Sequence, residues 1–325
     1  LKEVGYDDLD ETPRIDAQST GGWIGITDKY WLAAVIPDQA EPITARFQRT
    51  LDGGRDVFTT ETIGRERKLE PGSAVELTQR VFAGAKEVRL MDRYADELGI
   101  ARFDLAIDFG WFFYITKPMF YALLYLHEVL GNFGLAILAF TVVVKLFFFP
   151  LANKSYRSMS RMKALQPKLL ELRDRYQEDK LKLQQEMMAL YKREQVNPLS
   201  GCLPVVIQVP VFFALYKVLF VTIEMRHAPF YGWISDLSAS DPTSIFNLFG
   251  LLPWAPPETL LLSSTIGAWP FIMGLTMYLQ FKLNPAPPDP VQAKLFAFMP
   301  VIFTPMMAMF PAGLVIYWAW NNLLS

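Results

Sequence analysis

The chain has 325 residues, 52% of them hydrophobic and 14% aromatic, with 31 Lys and Arg against 33 Asp and Glu and a formal net charge of −2. That apolar share, with only 20% charged residues, argues against a soluble domain of this size and for a membrane protein. The single cysteine, Cys202, excludes an internal disulfide and a cysteine metal cluster.

The apolar residues are unevenly spread. Residues 1–108 carry 14 Lys and Arg against 21 Asp and Glu, whereas 133–151 and 199–221 carry only Lys145 and Lys217. A water-facing domain therefore precedes a membrane domain. With no initiator methionine and no apolar span before residue 100, a signal or anchor segment is expected to have been removed or to lie upstream, and Asn321 to Ser325 reads as a cut inside a helix.

Residues 1–105 alternate short apolar and polar stretches, such as Trp23-Ile24-Gly25-Ile26 and Trp31 to Ile36, punctuated by Gly21-Gly22, Pro37-Asp38 and Asp52-Gly53-Gly54. This is the pattern of a β-rich domain. A helix is predicted near Lys86 to Leu98. Within the interfacial region 106–132, residues 109–130 are aromatic at Phe109, Trp111, Phe112 and Phe113 but interrupted by Lys117-Pro118 and closed by His127-Glu128. Only Gly131-Asn132 separates them from the apolar stretch 133–151, a tight turn for two full spans, so an amphipathic helix in the membrane interface is predicted.

Spans are predicted at about 133–151, 199–221, 259–283, 294–310 and 312–325, most of them near the ~20 residues a bilayer requires. The loop 153–197 has eleven Lys and Arg and six Asp and Glu, a net +5, whereas 222–258 is net −3. The positive-inside rule makes 153–197 cytoplasmic and the N-terminal domain external, which is periplasmic in a bacterium with two membranes. Within 153–197, Leu165, Leu169, Leu172 and Tyr176, then Leu183, Met187 and Leu190, predict two amphipathic helices joined near 177–179 as a hairpin.

Lys145 is the most informative residue, because a lysine inside an apolar span costs up to roughly 2.5–3.5 kcal/mol and usually faces a bundle interior or a wet cavity. Thr141, four residues earlier, falls on the same helical face and would extend a polar stripe. The alternative is a lysine whose stem snorkels to the headgroups. Gln208, between Pro204 and Pro210, either lines the same cavity or ties two helices by a hydrogen bond. Tyr317, Trp318, Asn321 and Asn322 would add polar edges, although an aromatic belt also explains Tyr and Trp. Lys217 reads as a snorkelling lysine, Met159, Met162, Met187 and Met188 as packing residues that could also meet hydrophobic clients, and Cys202 as a small buried hydrophobe.

No Asp, Glu or His occurs inside a predicted span, so the carboxylates of proton-coupled transporters are missing. His127 and His227 are too isolated to suggest a zinc site, and phosphate-binding or hydrolase motifs are absent. Neither an enzyme nor a cofactor is expected.

Several strings resemble the YidC family of membrane protein insertases: Asn197 to Pro204, Gln208-Val209-Pro210-Val211-Phe212, Trp233 to Ser238, Phe298 to Phe303, Phe310 to Val315 and Gln185 to Tyr191. They cover most of 104–325 in order, while residues 1 to about 103 look like the C-terminal part of a β-sandwich periplasmic domain. The resemblance implies a multi-pass α-helical protein with a five-helix core, enclosing a hydrophilic groove open to the cytoplasm and to lipid but closed to the periplasm. It also implies nascent membrane proteins, ribosomes, the Sec translocon and membrane lipids as partners, with no direct nucleic-acid recognition. Where the family typically has an arginine in the groove this chain has Lys145, which keeps the charge and loses the planar fork. Thr141, Gln208, Tyr317 and Trp318 look similar to groove or client-contact positions. Residues 248–268 depart from the family pattern as extra residues before the third core span. The function expected is insertion of inner-membrane proteins; the alternatives are a solute or ion channel running past Lys145 and a periplasmic chaperone on a passive anchor.

Overall fold

The computed structural model describes residues 1–177, 179–196, 203–252, 266–283 and 290–325. Its contacts divide into two units: residues 1–109 with 221–224, and residues 110–220 with 225–325.

The first unit is built on two three-stranded antiparallel sheets. One has the order β1–β4–β5, from Arg14–Thr20, Pro42–Asp52 and Arg55–Ile63; the other has β2–β3–β6, from Ile24–Thr27, Trp31–Ile36 and Arg80–Ala85. In β3 the side-chain period of two buries Leu32, Ala34 and Ile36 and turns Trp31 outward. Asp52 pairs with Arg55 across a two-residue turn in which Gly53 (φ +56°) and Gly54 (φ +82°) are both left-handed, the geometry that matches the twist of a hairpin and that glycine reaches without strain. A short helix, α1 (Tyr6–Glu11), precedes the sheets.

The β structure ends at Ala85. Buried Lys86 follows, donating to Thr27 Oγ1 (2.9 Å) and to the Asp28 carbonyl (2.7 Å), and burial pushes its ammonium below the ordinary lysine range. Helix α2 (Val88–Glu97) then buries Val88 and Met91, and Phe103 packs edge-on against Trp23 and Phe82. Glu224 belongs to this unit: its Oε1 accepts from the Val88 amide at 2.9 Å, a free donor in the first turn of α2 whose N-cap, Glu87, makes no side-chain cap.

The second unit is helical. Helix α3 (Phe113–Leu130) ends in left-handed Gly131 (φ +71°), whose N–H donates to the His127 carbonyl. The next residue, Asn132, caps α4 by accepting from Leu135 N–H. Two residues thus stop one helix and start the next.

Helix α4 runs from Phe133 to Ala164. It does not stop at 151, where the first span was expected to end. Pro150 removes one N–H, but residues 151–164 are mostly good helix formers with no glycine, so the helix continues through the polar stretch. The hairpin therefore begins only at α5 (Gln166–Arg175), with α6 (Lys180–Arg193) returning. Leu165, Leu169, Leu190, Tyr191 and Val196 form its core, with Met162 and Met187 packed against them, whereas Met188 is exposed.

Helices α7 (Leu203–Val221), α8 (Ala268–Leu283), α9 (Pro290–Met307) and α10 (Ala312–Leu323) complete the unit. Among the described residues α4 alone is long and apolar enough to cross a membrane by length and composition; Val206–Val221 and Ala293–Met307 are shorter apolar helices. Cys202, Pro198, the beginnings of the segments predicted at 199–221 and 259–283, residues 284–289 and residues 253–265 of the extra segment lie outside the described residues.

Helix α10 lies at the centre, and Ala312 to Tyr317 are buried without a break. Helices α4, α8 and α9 instead present apolar side chains outward, among them Phe147, Leu275 and Val301. Helices α8 and α9 approach closely at Gly274, where a Cβ would collide with Thr304 Oγ1.

A side-chain cluster built on helix 10

Inside an apolar bundle a polar group is costly unless it finds a partner, so the partners reveal what each polar residue does. Lys145 interrupts a run of Val, Leu and Phe on α4, where Val142, Val143, Leu146, Phe147 and Phe149 are exposed. Its own side chain turns to α10, and the ammonium donates to Ser325 Oγ. That hydroxyl in turn donates to the Asn321 carbonyl at 2.8 Å, while Tyr156 Oη donates to the Ser325 main-chain oxygen at 2.8 Å. Two α4 side chains about three turns apart thus converge on the end of α10.

Thr141 shares the helical face of Lys145 but not its polar partners. It is buried, and its hydroxyl donates to the Ile137 carbonyl at 2.7 Å. A threonine hydroxyl reaches the carbonyl one turn back from a common helical rotamer, which leaves no polar hydrogen to present to a groove.

Gln208 lies on α7, and its side-chain amide donates to Tyr317 Oη on α10. That bond ties α7 to α10. Trp318 stacks edge-on against Phe212 of α7 (4.8 Å, 85°) and tilts against Phe303 of α9 (6.1 Å, 39°). Asn321 is buried, with its carbonyl oxygen Oδ1 lacking a hydrogen-bond partner among the described residues; the same holds for Trp320 Nε1. Asn322 donates to Thr276 Oγ1 on α8 at 3.4 Å. Helix α10 is thus the common element: it joins Lys145 and Asn321 through Ser325, and Gln208 through Tyr317. Lys217 lies alongside Gly110, where an added Cβ would meet its Cε at 3.0 Å.

The other end of the bundle is closed by the loop 225–245. Buried Asp241 accepts from the Trp233 indole (3.1 Å), from the Thr243 amide (3.0 Å) and hydroxyl (2.7 Å), and from the Trp269 amide (2.9 Å). Thr243 Oγ1 also accepts from the Ala268 amide, so the first turn of α8 is capped by side chains from a distant loop. The Ala239 and Leu237 carbonyls accept from Ala312 and Gly313 at the start of α10, and Pro229 accepts from the Asn132 side chain. Asp241 was missed at the sequence level; the Asp-Pro-Thr-Ser string starting there is the turn-and-cap signal that marks it. Tyr156 and Ser325 had no such signal. Among the described residues no group of three His, Cys, Asp or Glu side chains is placed to hold a metal ion.

Residues 125–325 match the 60Kd inner membrane protein family, and residues 1–122 match the YidC periplasmic domain. The membrane protein insertase YidC of Methylobacterium sp. (strain 4-46) is 61% identical over 307 residues, which cover 94% of this chain and 49% of that protein. The Brucella suis biovar 1 protein of the same name is 56% identical over 326 residues, 100% of this chain and 53% of the relative. The Agrobacterium fabrum protein is 55% identical, with 100% and 53% covered. The chain spans about half the length of these curated relatives. A crystal structure of an active YidC insertase with its first transmembrane domain resolved superposes with a TM-score of 0.53 over 96% of this chain and 78% of that one; at 18% identity the likeness is one of fold.

Proposed function

The chain belongs to the 60Kd inner membrane protein family, and we propose that it acts as a membrane protein insertase, holding the polar part of a nascent chain beside Lys145 while the apolar part passes into lipid. In this reading five spans, near 133–151, 199–221, 259–283, 294–310 and 312–325, cross the bacterial inner membrane. The N-terminal domain is periplasmic, 106–132 lies in the interface and 153–197 is cytoplasmic. The net +5 of 153–197 against −3 of 222–258 supports that orientation.

The observation that carries the reading is the placement of Lys145. Its neighbours on α4 are exposed apolar side chains suited to lipid, yet its ammonium is held by a hydroxyl at the end of the buried helix α10. A cation kept in that position attracts an acidic client tail from the cytoplasmic side and shortens the ~30 Å of hydrocarbon that the tail would otherwise face. Burial of the client's apolar surface in lipid, at about 25 cal/mol per Å², drives its exit. Neither a nucleotide nor a covalent step is needed, and Gln208, Tyr317, Trp318 and Asn321 shape the polar side with Lys145. The 225–245 loop, folded over the opposite end around Asp241, keeps the periplasmic side shut.

Nascent inner-membrane proteins are the substrates in this reading, with ribosomes, the Sec translocon and lipids as partners. The relatives carry the insertase name, which leaves the channel alternative without support. Charge reversal tests the proposal: Lys145→Glu is expected to slow insertion of clients with acidic tails and to spare those with neutral tails. Normal insertion of acidic-tailed clients by that variant overturns it.

A further inference from the structure

Because α4 runs as one helix from Phe133 to Ala164, a single face of it can be followed from the apolar residues into the polar ones. Val143, Phe147, Pro150, Lys154, Arg157 and Arg161 succeed one another at spacings of four, three, four, three and four, which sets them on one stripe, and all six are exposed. Buried Ile137, Thr141 and Ser155 mark a different face. The stripe is apolar through Pro150 and cationic beyond it. No acid on the helix balances those cations: from Val129 to Leu170 the chain has neither Asp nor Glu. Among the described residues, Lys154, Arg157 and Arg161 form no ion pair.

We propose that this stripe binds one anionic phospholipid, with the phosphate at Lys154 and Arg157 and an acyl chain along Val143, Phe147 and Pro150. The inference rests on the part of the proposed function that places 133–151 in the membrane, and it is independent of the groove. At about 1.5 Å per residue, Lys154 stands ~4.5 Å beyond Leu151 along the helix axis, Arg157 ~9 Å and Arg161 ~15 Å. The headgroup layer of one leaflet is about 5–8 Å deep, so Lys154 lies in it and Arg157 at its edge, with Arg161 within a Debye length of it. The Arg157 guanidinium can hold two phosphate oxygens at once, and Lys154 adds a point charge. A zwitterionic lipid brings its own ammonium beside the phosphate, whereas phosphatidylglycerol brings a net negative charge that the unpaired cations neutralise. Lipid is the occupant that continuity favours, because the apolar half of the stripe faces acyl chains and the cationic half lies where the same lipids carry their phosphates.

The test uses the full chain in phosphatidylcholine vesicles, with Cys202→Ser and a bimane fluorophore on Leu146→Cys, an exposed position beside the stripe. Quenching by phosphatidylglycerol brominated in its acyl chains is compared with quenching by brominated phosphatidylcholine, and the ratio of the two gives the lipid preference at that place. A preference for phosphatidylglycerol of about fivefold or more is expected, the factor that one basic residue contributes at an anionic surface. In Lys154→Gln/Arg157→Gln/Arg161→Gln the ratio is expected to fall to about one. In Lys163→Gln/Arg173→Gln/Arg175→Gln, which removes as much charge from the same segment off the stripe, it is expected to stay. Should the stripe triple variant fail to fold, Arg157→Gln alone is expected to lower the ratio by at least about twofold, and an unchanged ratio overturns the inference. An equal fall in both triple variants also overturns it, because diffuse charge then suffices. A ratio near one in the parent overturns the lipid assignment and leaves the insertase reading standing; binding of a soluble hexaglutamate peptide, lost in the stripe variant, then gives the stripe to a protein partner. No quenching by either lipid removes α4 from the membrane, and the inference falls together with the reading beneath it.

Discussion

The side-chain amide of Gln208 on α7 donates to the hydroxyl of Tyr317, a residue 1% exposed on the central helix α10. Interhelical hydrogen bonds in membrane bundles contribute about 0.6 kcal/mol on average and up to ~1.7 kcal/mol. Tyr317→Phe keeps the ring and strands the glutamine, so it is expected to lower stability in detergent by about 1 kcal/mol. Thermal unfolding of the two proteins, with Gln208→Leu/Tyr317→Phe recovering part of the loss, checks this; a loss that persists in full in the double variant refutes the pairing.

Asp241 holds Trp233, Thr243 and the first turn of α8 at once. Asp241→Ala leaves these donors unpartnered at a buried site, at about 1–3 kcal/mol for each unsatisfied group. The expected result is a loss of at least ~3 kcal/mol together with faster proteolysis within 225–245. A variant that melts like the parent would show that the loop is not held through this carboxylate.

Gly274 admits Thr304 where any β-carbon would collide. Overpacking of this kind costs typically ~1–3 kcal/mol, so Gly274→Ala is expected to destabilise the α8–α9 contact by that amount. Among the described residues Thr304 Oγ1 bonds only its own helix, to the Pro300 carbonyl at 2.7 Å, so Thr304→Ala alone is expected to be nearly neutral. The double variant is expected to melt close to the parent. Simple addition of the two single effects would contradict the steric account.

Glu224 accepts from Val88 N–H with one oxygen, while its other oxygen is buried without a partner among the described residues. Burial pushes its carboxyl above the ordinary glutamate range; hydrogen bonds from the backbone and the Arg89 charge act against this, and the Glu87 charge acts with it. A carboxyl raised on folding contributes stability that is fully present below its unfolded pKa and is lost as pH rises through its folded pKa. Protection of the Val88 amide from hydrogen exchange, corrected for the intrinsic rate, is therefore expected to fall as pH rises above the ordinary glutamate range. Glu224→Gln is expected to flatten that slope; the same slope in the variant would assign it to another group.

Local chemistry was legible wherever neighbours in the chain decide the outcome. Asp52-Gly53-Gly54-Arg55 announces a hairpin because both central residues need positive φ, and the structure has both. Gly131-Asn132 announces the turn between α3 and α4, because one residue can end a helix in the left-handed region and the other can cap the next. Where α4 ends was not legible, since a change from apolar to polar residues marks where a helix leaves lipid and not where its hydrogen bonds stop.

What the sequence determined by itself is the family, the division into a β-rich part and an apolar helical part, and the presence of a cation in a stretch that solvation disfavours. Only the tertiary structure decided what each polar side chain touches. Thr141 and Lys145 have the same spacing argument in their favour, yet one hydroxyl turns back to its own carbonyl while the ammonium reaches a residue 180 positions away. Periodicity assigns a side chain to a face of its helix. Its partner depends on which helices pack there, and that is set by contacts such as Asp241 with Trp269 and Gly274 with Thr304, which join residues far apart in the chain or packed across a helix pair.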